Sequence, residues 1–296
     1  MAVNVELWRE RFAAFLLLRG RSERTVEGYL LELRLFLRFL AERGVLAVSD
    51  IRRDDVDAYR IRLHHWRKAN GEPLTLSTQT CKMCAVLCFL GFLHEERFVL
   101  VNPGHGVKLP RCPDNLPRDL LDEEQVLRLL VAPDTSTPLG LRDRAILELL
   151  NSSAIRNTEL RLLEVQDLDF HRLEARIHNG KGRKGRVVPV GEPAAAALTD
   201  YLRKGRPWLV RDPDMQLVFL NSWGRPLTVE LLAKLVREHA ESVGLFGKIT
   251  PHVLRHCCAT HMLRRRAGLR HLQELLGHAS ADTTRRYTRI EISDLR

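Results

Sequence analysis

Three prolines lie within eight residues at positions 110, 113 and 117. Proline lacks the backbone N–H that a helix needs, so no helix can persist through this stretch. The sequence therefore predicts an extended basic linker over residues 108–118, between a first domain, residues 1–107, and a second, residues 119–296. The lysine and arginines of this linker suit either a contact with a phosphate backbone or a plain solvated tether.

The first domain shows the apolar spacing of amphipathic helices. After Ser22-Glu-Arg-Thr, which resembles a capping box without its final acid, apolar residues recur three and four apart as far as Gly44. Further helices are predicted over residues 7–18, 54–66 and 77–92. We expect this domain to be all-α.

The second domain mixes two patterns. Helices are predicted over residues 121–130 and 141–150, and again from Ala194 onward. Between them, residues 165–170, 175–178 and 187–190 have the composition of short strands. The predicted fold class is mainly α with a small β-sheet: an all-α N-terminal domain followed by a mixed α+β domain.

Charge and composition restrict the partners and the compartment. A formal net charge of +10 and a pI near 9.7 favour a polyanion, although a basic solvated surface is the alternative. The chain has no run of eighteen apolar residues and no signal-peptide pattern at its start, so a cytoplasmic protein without a membrane is expected.

Six cysteines do not form a disulfide framework in a cytosolic chain of this length. Cys81, Cys84 and Cys88 share one face of a predicted helix, and no second ligand pair follows at zinc-site spacing. They are predicted to be buried thiols that pack as small hydrophobic groups.

Two cationic residues in the second domain are candidates for contact with phosphate. Arg156 follows a polar turn and precedes a predicted helix, whose N-terminus favours anions. Lys181 lies between glycines at the tip of a predicted hairpin, from which it could protonate a leaving oxygen. An ordinary surface arginine and an exposed charged hairpin are the respective alternatives.

The densest chemistry lies near the C-terminus. Arg255 can bind two phosphate oxygens, His252 and His278 can donate hydrogen bonds or move protons, and Tyr287 carries a nucleophilic hydroxyl. His252 and His256 have the spacing of a zinc-protease helix, but the glutamate that must follow the first histidine is absent. No metal site and no cofactor are predicted.

Taken together, these motifs resemble the active-site pattern of the tyrosine recombinases, the family of phage integrases and Xer-type proteins. The resemblance implies that Arg156 and Arg255 clamp the scissile phosphate and that Lys181 is the general acid. It further implies that His252 and His278 assist proton transfer and phosphate binding. Tyr287 would form the 3′-phosphotyrosine.

Two departures from the family pattern affect local geometry. Ala154 replaces a glycine of the family's Thr-Gly-Leu-Arg motif, and the turn after the His-x-x-Arg helix reads Arg265-Arg266-Ala267-Gly268. We expect the end of that helix to shift by about two residues, because a permissive glycine is absent from its usual place.

The resemblance implies conservative site-specific recombination on double-stranded DNA through a Holliday junction. The enzyme would act as a homotetramer, or as a heterotetramer with a related recombinase, on paired sites. A type IB topoisomerase-like strand transferase, a catalytically weak DNA-binding accessory protein and a purely structural helical protein are the alternatives. The filled catalytic positions oppose the accessory reading, and the basic, histidine-rich C-terminus opposes the structural one.

Overall fold

The computed structural model describes residues 5–110, 120–178 and 185–277. Most of the predicted linker, residues 108–118, lies outside these ranges, so its extended conformation stays a prediction. The chain divides into two compact units, Met1–Pro113 and Asp114–Arg296. It is mainly helical, with one three-stranded sheet among the described residues. The predicted fold class is confirmed.

The regular elements described in the first unit are all helices, and one isolated β-bridge joins Arg67 to Pro73. Its helices are α1 (Val5–Leu18), α2 (Glu23–Glu42), α3 (Arg53–His65) and α4 (Leu76–Glu95), with a 3₁₀ turn at Val48–Asp50. Ser22 caps α2 by accepting a hydrogen bond from the Thr25 amide at 3.3 Å. The core receives a fully buried aromatic residue from each helix: Phe12, Phe36, Tyr59 and Phe89.

Helix α4 is the one described helix that is long and apolar enough, by length and composition, to cross a membrane. A helix at the centre of a globular core passes the same test. Val86, Phe89, Leu90 and Leu93 of α4 are fully buried in the first unit, and the Phe12 and Phe89 rings meet edge to face at 5.4 Å. This packing accounts for the apolar character of α4.

The cysteines of α4 differ from the prediction. Cys81 is exposed, and Cys84 and Cys88 are only partly buried. Cys88 packs against the core of the first unit, where burial raises the pKa of its thiol. The prediction that they are buried thiols is therefore wrong for Cys81. The helical spacing predicts that the three cysteines share a face of the helix, but it does not determine how deeply that face is buried.

The second unit surrounds a central helix. Its elements are α5 (Glu123–Val131), α6 (Pro138–Ser153), α7 (Asn157–Arg161), β1 (Leu168–Asp169), β2 (Glu174–Ile177), β3 (Arg186–Pro189), α8 (Glu192–Asp200), α9 (Arg206–Leu209), α10 (Val229–Ser242), α11 (Pro251–Arg264) and α12 (Leu269–Leu276). A π-helical turn at Tyr201–Gly205 joins α8 to α9. In α6, Ile146, Leu147, Leu149 and Leu150 are fully buried, so neighbouring elements cover several sides of this helix.

The sheet is an antiparallel meander in the order β1-β2-β3. Residues 165–167 were predicted to begin a strand but form a 3₁₀ turn. The Asp167 carboxylate accepts a hydrogen bond from the Glu164 amide at 3.0 Å, and this local bond favours a turn over strand pairing. Strands β2 and β3 pair with Ile177 opposite Arg186, so the predicted hairpin is present.

The two positions where the family's glycine is replaced both adopt left-handed backbone. Ala154 ends α6 with φ 46°, and Arg266 follows the end of α11 with φ 63°. Each residue therefore adopts the conformation for which glycine is normally selected. Helix α12 begins at Leu269, after Gly268 in its N-cap. The non-glycine residues thus strain these turns without preventing them.

Candidate active site

Arg156 is positioned by the sharp turn after α6. It forms the N-cap of α7, and its amide donates to the Glu159 carboxylate at 2.9 Å. Its Nη1 donates to the same carboxylate at 2.7 Å. Glu159 is buried, so one acid fixes both the backbone and the side chain of Arg156. The predicted place of Arg156, just before a helix, is confirmed.

Arg255 lies on α11, which begins at Pro251, directly after the N-cap residue Thr250. The side chain is 4% exposed. Its guanidinium donates to the carbonyls of Ala154 and Leu276, the latter at 2.7 Å. A buried charge needs such partners, and backbone carbonyls supply them.

The C-terminal end of α12 meets both arginines. Arg156 Nη2 donates to the carbonyls of Leu276 and Gly277, each at 2.7 Å. Arg255 donates to the same Leu276 carbonyl. The last carbonyls of a helix have no partner within it and carry its partial negative charge, so cations are favoured there. Two arginines that are far apart in sequence therefore converge on one oxygen atom of a third motif.

A third arginine, Arg186, completes this network from the base of the hairpin. Its Nη1 and Nη2 donate to the two oxygens of Glu159 at 2.7 and 2.8 Å. Its Nε donates to the Leu275 carbonyl at 2.9 Å. Sequence reasoning missed both Arg186 and Glu159 as site residues. The only available signal was the acid three positions after Arg156, which is the capping-box position.

The charge state of Glu159 depends on its two arginines. Burial alone would raise the pKa of this carboxyl group. Hydrogen bonds from Arg186 and Arg156 outweigh the burial and lower the pKa to about 2. Glu159 is therefore a permanent anion at neutral pH, and it holds the two guanidinium groups in place.

Gly277 allows this close approach. Its φ is 58°, and a Cβ at this position would lie 3.2 Å from Arg156 Nη1 and 3.3 Å from Arg186 Cδ. A side chain here would combine backbone strain with a tight contact on both arginines. The Leu-Leu-Gly end of α12 is thus shaped for docking against the arginine cluster.

His252 lies one turn before Arg255 on α11 and is exposed. Its Nε2 lies 3.0 Å from Nε2 of His256, so the predicted shared helical face is confirmed. The other three predicted residues, Lys181, His278 and Tyr287, lie outside the described residues. In sequence, Lys181 falls between the paired residues of the hairpin and His278 directly follows Gly277.

The arrangement of the described residues suits an oxyanion. Two guanidinium groups donate to a common oxygen at 2.7 Å, and planar guanidinium groups bind phosphate oxygens in pairs. Glu159 limits the motion of Arg156 and Arg186, so less conformational freedom is lost when an anion binds.

Comparisons with known proteins identify the family of this chain. Residues 119–293 match the phage integrase family. The chain belongs to the phage integrase family. Residues 10–97 match the N-terminal SAM-like domain of phage integrases, so both units have counterparts in this family of DNA breaking–rejoining enzymes.

Similar curated proteins cover most of the chain. Tyrosine recombinase XerC 2 of Ralstonia nicotianae is 40% identical over 281 residues, covering 95% of this chain and 81% of the relative. Tyrosine recombinase XerC of Pelotomaculum thermopropionicum is 36% identical, covering 92% and 89%. Membership of the family favours site-specific recombination over the topoisomerase-like, accessory and structural alternatives.

The fold also matches solved structures. The XerH site-specific recombinase in a post-cleavage complex with palindromic difH substrate aligns with a TM-score of 0.73 at 23% identity. The alignment covers 93% of this chain and 80% of that one. A lambda integrase dimer on a COC′ core site aligns with a TM-score of 0.70 at 16% identity, covering 97% and 95%. At these identities the likeness concerns the fold.

Proposed function

We propose that this integrase-family enzyme cleaves DNA at a specific recombination site by attack of the Tyr287 hydroxyl oxygen on the scissile phosphorus. As the new Tyr287 O–P bond forms, the hydroxyl proton passes to a histidine of the site, His252 or His278. The bond from phosphorus to the 5′ oxygen breaks, and Lys181 gives that oxygen a proton. The 5′ hydroxyl of a partner strand then reverses the reaction and releases Tyr287. The phosphotyrosine conserves the bond energy, so rejoining needs no nucleotide.

The observation that carries this proposal is the convergence of Arg156 and Arg255 on the Leu276 carbonyl oxygen. These arginines would stabilise the negative charge that develops on the phosphate. His278 follows this docked end of α12, and the Ile177–Arg186 pairing fixes the base of the hairpin that carries Lys181. His252 and His278 would hydrogen-bond the phosphate oxygens and assist proton transfer.

The assembly and boundaries belong to the same proposal. The enzyme acts in the cytoplasm, without a membrane, as a homotetramer or a heterotetramer on two paired DNA sites, and it exchanges strands through a Holliday junction. Residues 1–107 bind DNA, residues 108–118 link the two domains, and residues 119–296 form the catalytic domain. The family match to residues 119–293 supports the start of the catalytic domain.

A nicked DNA substrate bearing the native site tests the nucleophile, with the DNA flanking the coding region as the first source of that site. We expect a covalent protein–DNA adduct with the wild type and none with Tyr287→Phe. The control Tyr201→Phe removes another phenol oxygen, within the core of the same unit, and should retain the adduct. An adduct with Tyr287→Phe would show that the nucleophile is another residue.

The alternatives give different products. A topoisomerase-like enzyme relaxes supercoiled plasmid without exchanging strands between two marked sites. A DNA-binding accessory protein binds the site but forms no covalent adduct. Exchange of strands between two site-bearing DNA molecules, lost in Tyr287→Phe, supports the recombinase over both.

A further inference from the structure

His252 and His256 place two imidazole nitrogens close together on one face of α11. Their Nε2 atoms are 3.0 Å apart, their ring centroids are 4.4 Å apart, and the ring planes cross at 80°. Because the centroids are this close, the rings are inclined to the line that joins the nitrogens. A rotation of the two side chains would direct both in-plane lone pairs toward a point beside that line.

This separation fits a metal chelate. With metal–nitrogen distances of about 2.0–2.1 Å, nitrogens 3.0 Å apart subtend roughly 91–97° at the metal. This angle is close to the cis angle of square-planar and octahedral complexes, which copper(II) and nickel(II) favour. Zinc(II), which is tetrahedral, would require the nitrogens to separate slightly. Hard cations such as magnesium prefer oxygen ligands.

The position of the pair allows an ion to enter. His252 is exposed and His256 is partly buried. Among the residues that the structure describes, no group of three His, Cys, Asp or Glu side chains is arranged to hold a metal. The two Nε2 atoms would supply two neighbouring ligands to an ion.

We propose that His252 and His256 chelate a divalent transition-metal ion of the nickel and copper class, in place of the hydrogen bond between the two rings. The bound ion would occupy Nε2 of His252 and so inhibit DNA cleavage. This inhibition rests on the proposed function, because it assumes that His252 acts on the phosphate. Binding of the metal does not rest on it.

One effect opposes binding and another favours it. The pair lies near the N-terminus of α11, whose dipole repels cations and weakens affinity by roughly two- to fivefold. Against this, the helix holds both ligands together before the ion arrives. Binding to the second nitrogen is then intramolecular, which raises affinity well above that of a single histidine.

Titration calorimetry with nickel(II) on the tag-free, full-length protein tests the chelate. Nickel is chosen because copper(II) oxidises exposed thiols such as Cys81. We expect a binding event in the wild type that weakens by about tenfold or more in His256→Gln, since one of two joined ligands is lost. The control His271→Ala removes an exposed histidine on α12 and should bind nickel as the wild type does.

Adduct formation on the nicked substrate gives a second readout. Nickel should slow the wild type reversibly, with recovery on adding a chelator, and should slow His256→Gln much less at the same concentration. Equal nickel affinity in the wild type and His256→Gln, or no binding to the wild type, would overturn the proposal. If no adduct forms even without nickel, the proposed function fails, while the calorimetry still decides the metal site.

Discussion

Replacing Glu159 by glutamine should destabilise the second unit in a pH-dependent way. Glutamine keeps the size of the side chain but removes the negative charge between Arg156 and Arg186, which contact this carboxylate at 2.7–2.8 Å. The carboxylate is 2% exposed. Water therefore cannot replace the lost counter-charge.

The size of the effect follows from the lowered pKa. A carboxyl group whose pKa falls from 4.5 to about 2 on folding stabilises the folded state by about 3 kcal/mol at pH 7. The unfolded chain takes up this proton first as the pH falls, so the stabilisation decreases below the unfolded pKa. About 2.5 kcal/mol remains at pH 4 and about 1.5 kcal/mol at pH 3. Below the folded pKa it is lost.

Urea unfolding followed by pulsed hydrogen exchange measures this in the intact chain. Peptides from the buried residues Ile146 to Leu150 of α6 report on the second unit alone, which avoids averaging over two units. The difference in unfolding free energy between wild type and Glu159→Gln should shrink as the pH is lowered from 7 to 4.

The control is Glu123→Gln, at an exposed acid whose pKa is also lowered by an arginine, Arg265. Because this ion pair is fully exposed, its loss should change the unfolding free energy far less. A difference for Glu159→Gln that stays constant with pH would refute the reasoning, since it would show a loss of packing rather than of charge. An effect as small as that of Glu123→Gln would refute the pairing itself.

Two further predictions concern strain and positioning. Arg266→Gly should stabilise the second unit by about 0.5–1 kcal/mol. The side chain of Arg266 is exposed and its backbone is in the left-handed region, which glycine adopts with less strain. Ala154→Gly should leave the unfolding free energy nearly unchanged, because relief of the same strain is offset by loss of a buried methyl group worth about 0.8 kcal/mol. Urea unfolding of both variants measures the two changes, and an equal gain in unfolding free energy for both would contradict this balance. Arg186→Lys keeps the charge but loses the paired hydrogen bonds to Glu159, so single-turnover adduct formation should slow by about tenfold or more. Arg172→Lys, at an exposed arginine near β2, should leave that rate unchanged, and equal rates for both variants would remove Arg186 from the site.

Much of the fold could be predicted because its signals are local. The spacing of α2 and the end of α12 at Gly277 each depend on neighbouring residues. The strand predictions were less accurate, since a hydrogen bond from the Glu164 amide to the Asp167 carboxylate turns a strand-like run into a 3₁₀ turn. The exposure of Cys81 also depends on how α4 lies in the core, which periodicity does not determine.

The candidate site was predictable only where its residues belong to motifs. Arg156 and Arg255 were found in this way. Glu159 and Arg186 were not, because their roles arise from contacts across 27 residues of sequence, between the start of α7 and the start of β3. Each looks ordinary by itself: an acid in the first turn of a short helix and an arginine after a glycine-rich turn.

These two residues change how the C-terminal motif is understood. In sequence, Leu-Leu-Gly-His278 places a histidine after a helix. In the structure, Arg156, Arg186 and Arg255 donate to the carbonyls of Leu275, Leu276 and Gly277, and Gly277 has no side chain to keep them apart. Arg156 and Arg255, the two arginines proposed to bind the phosphate, therefore also hold the C-terminal end of α12, which His278 follows in sequence. On the proposed function, a change at Glu159 should therefore disturb both the binding of phosphate by these arginines and the docking of this helix end.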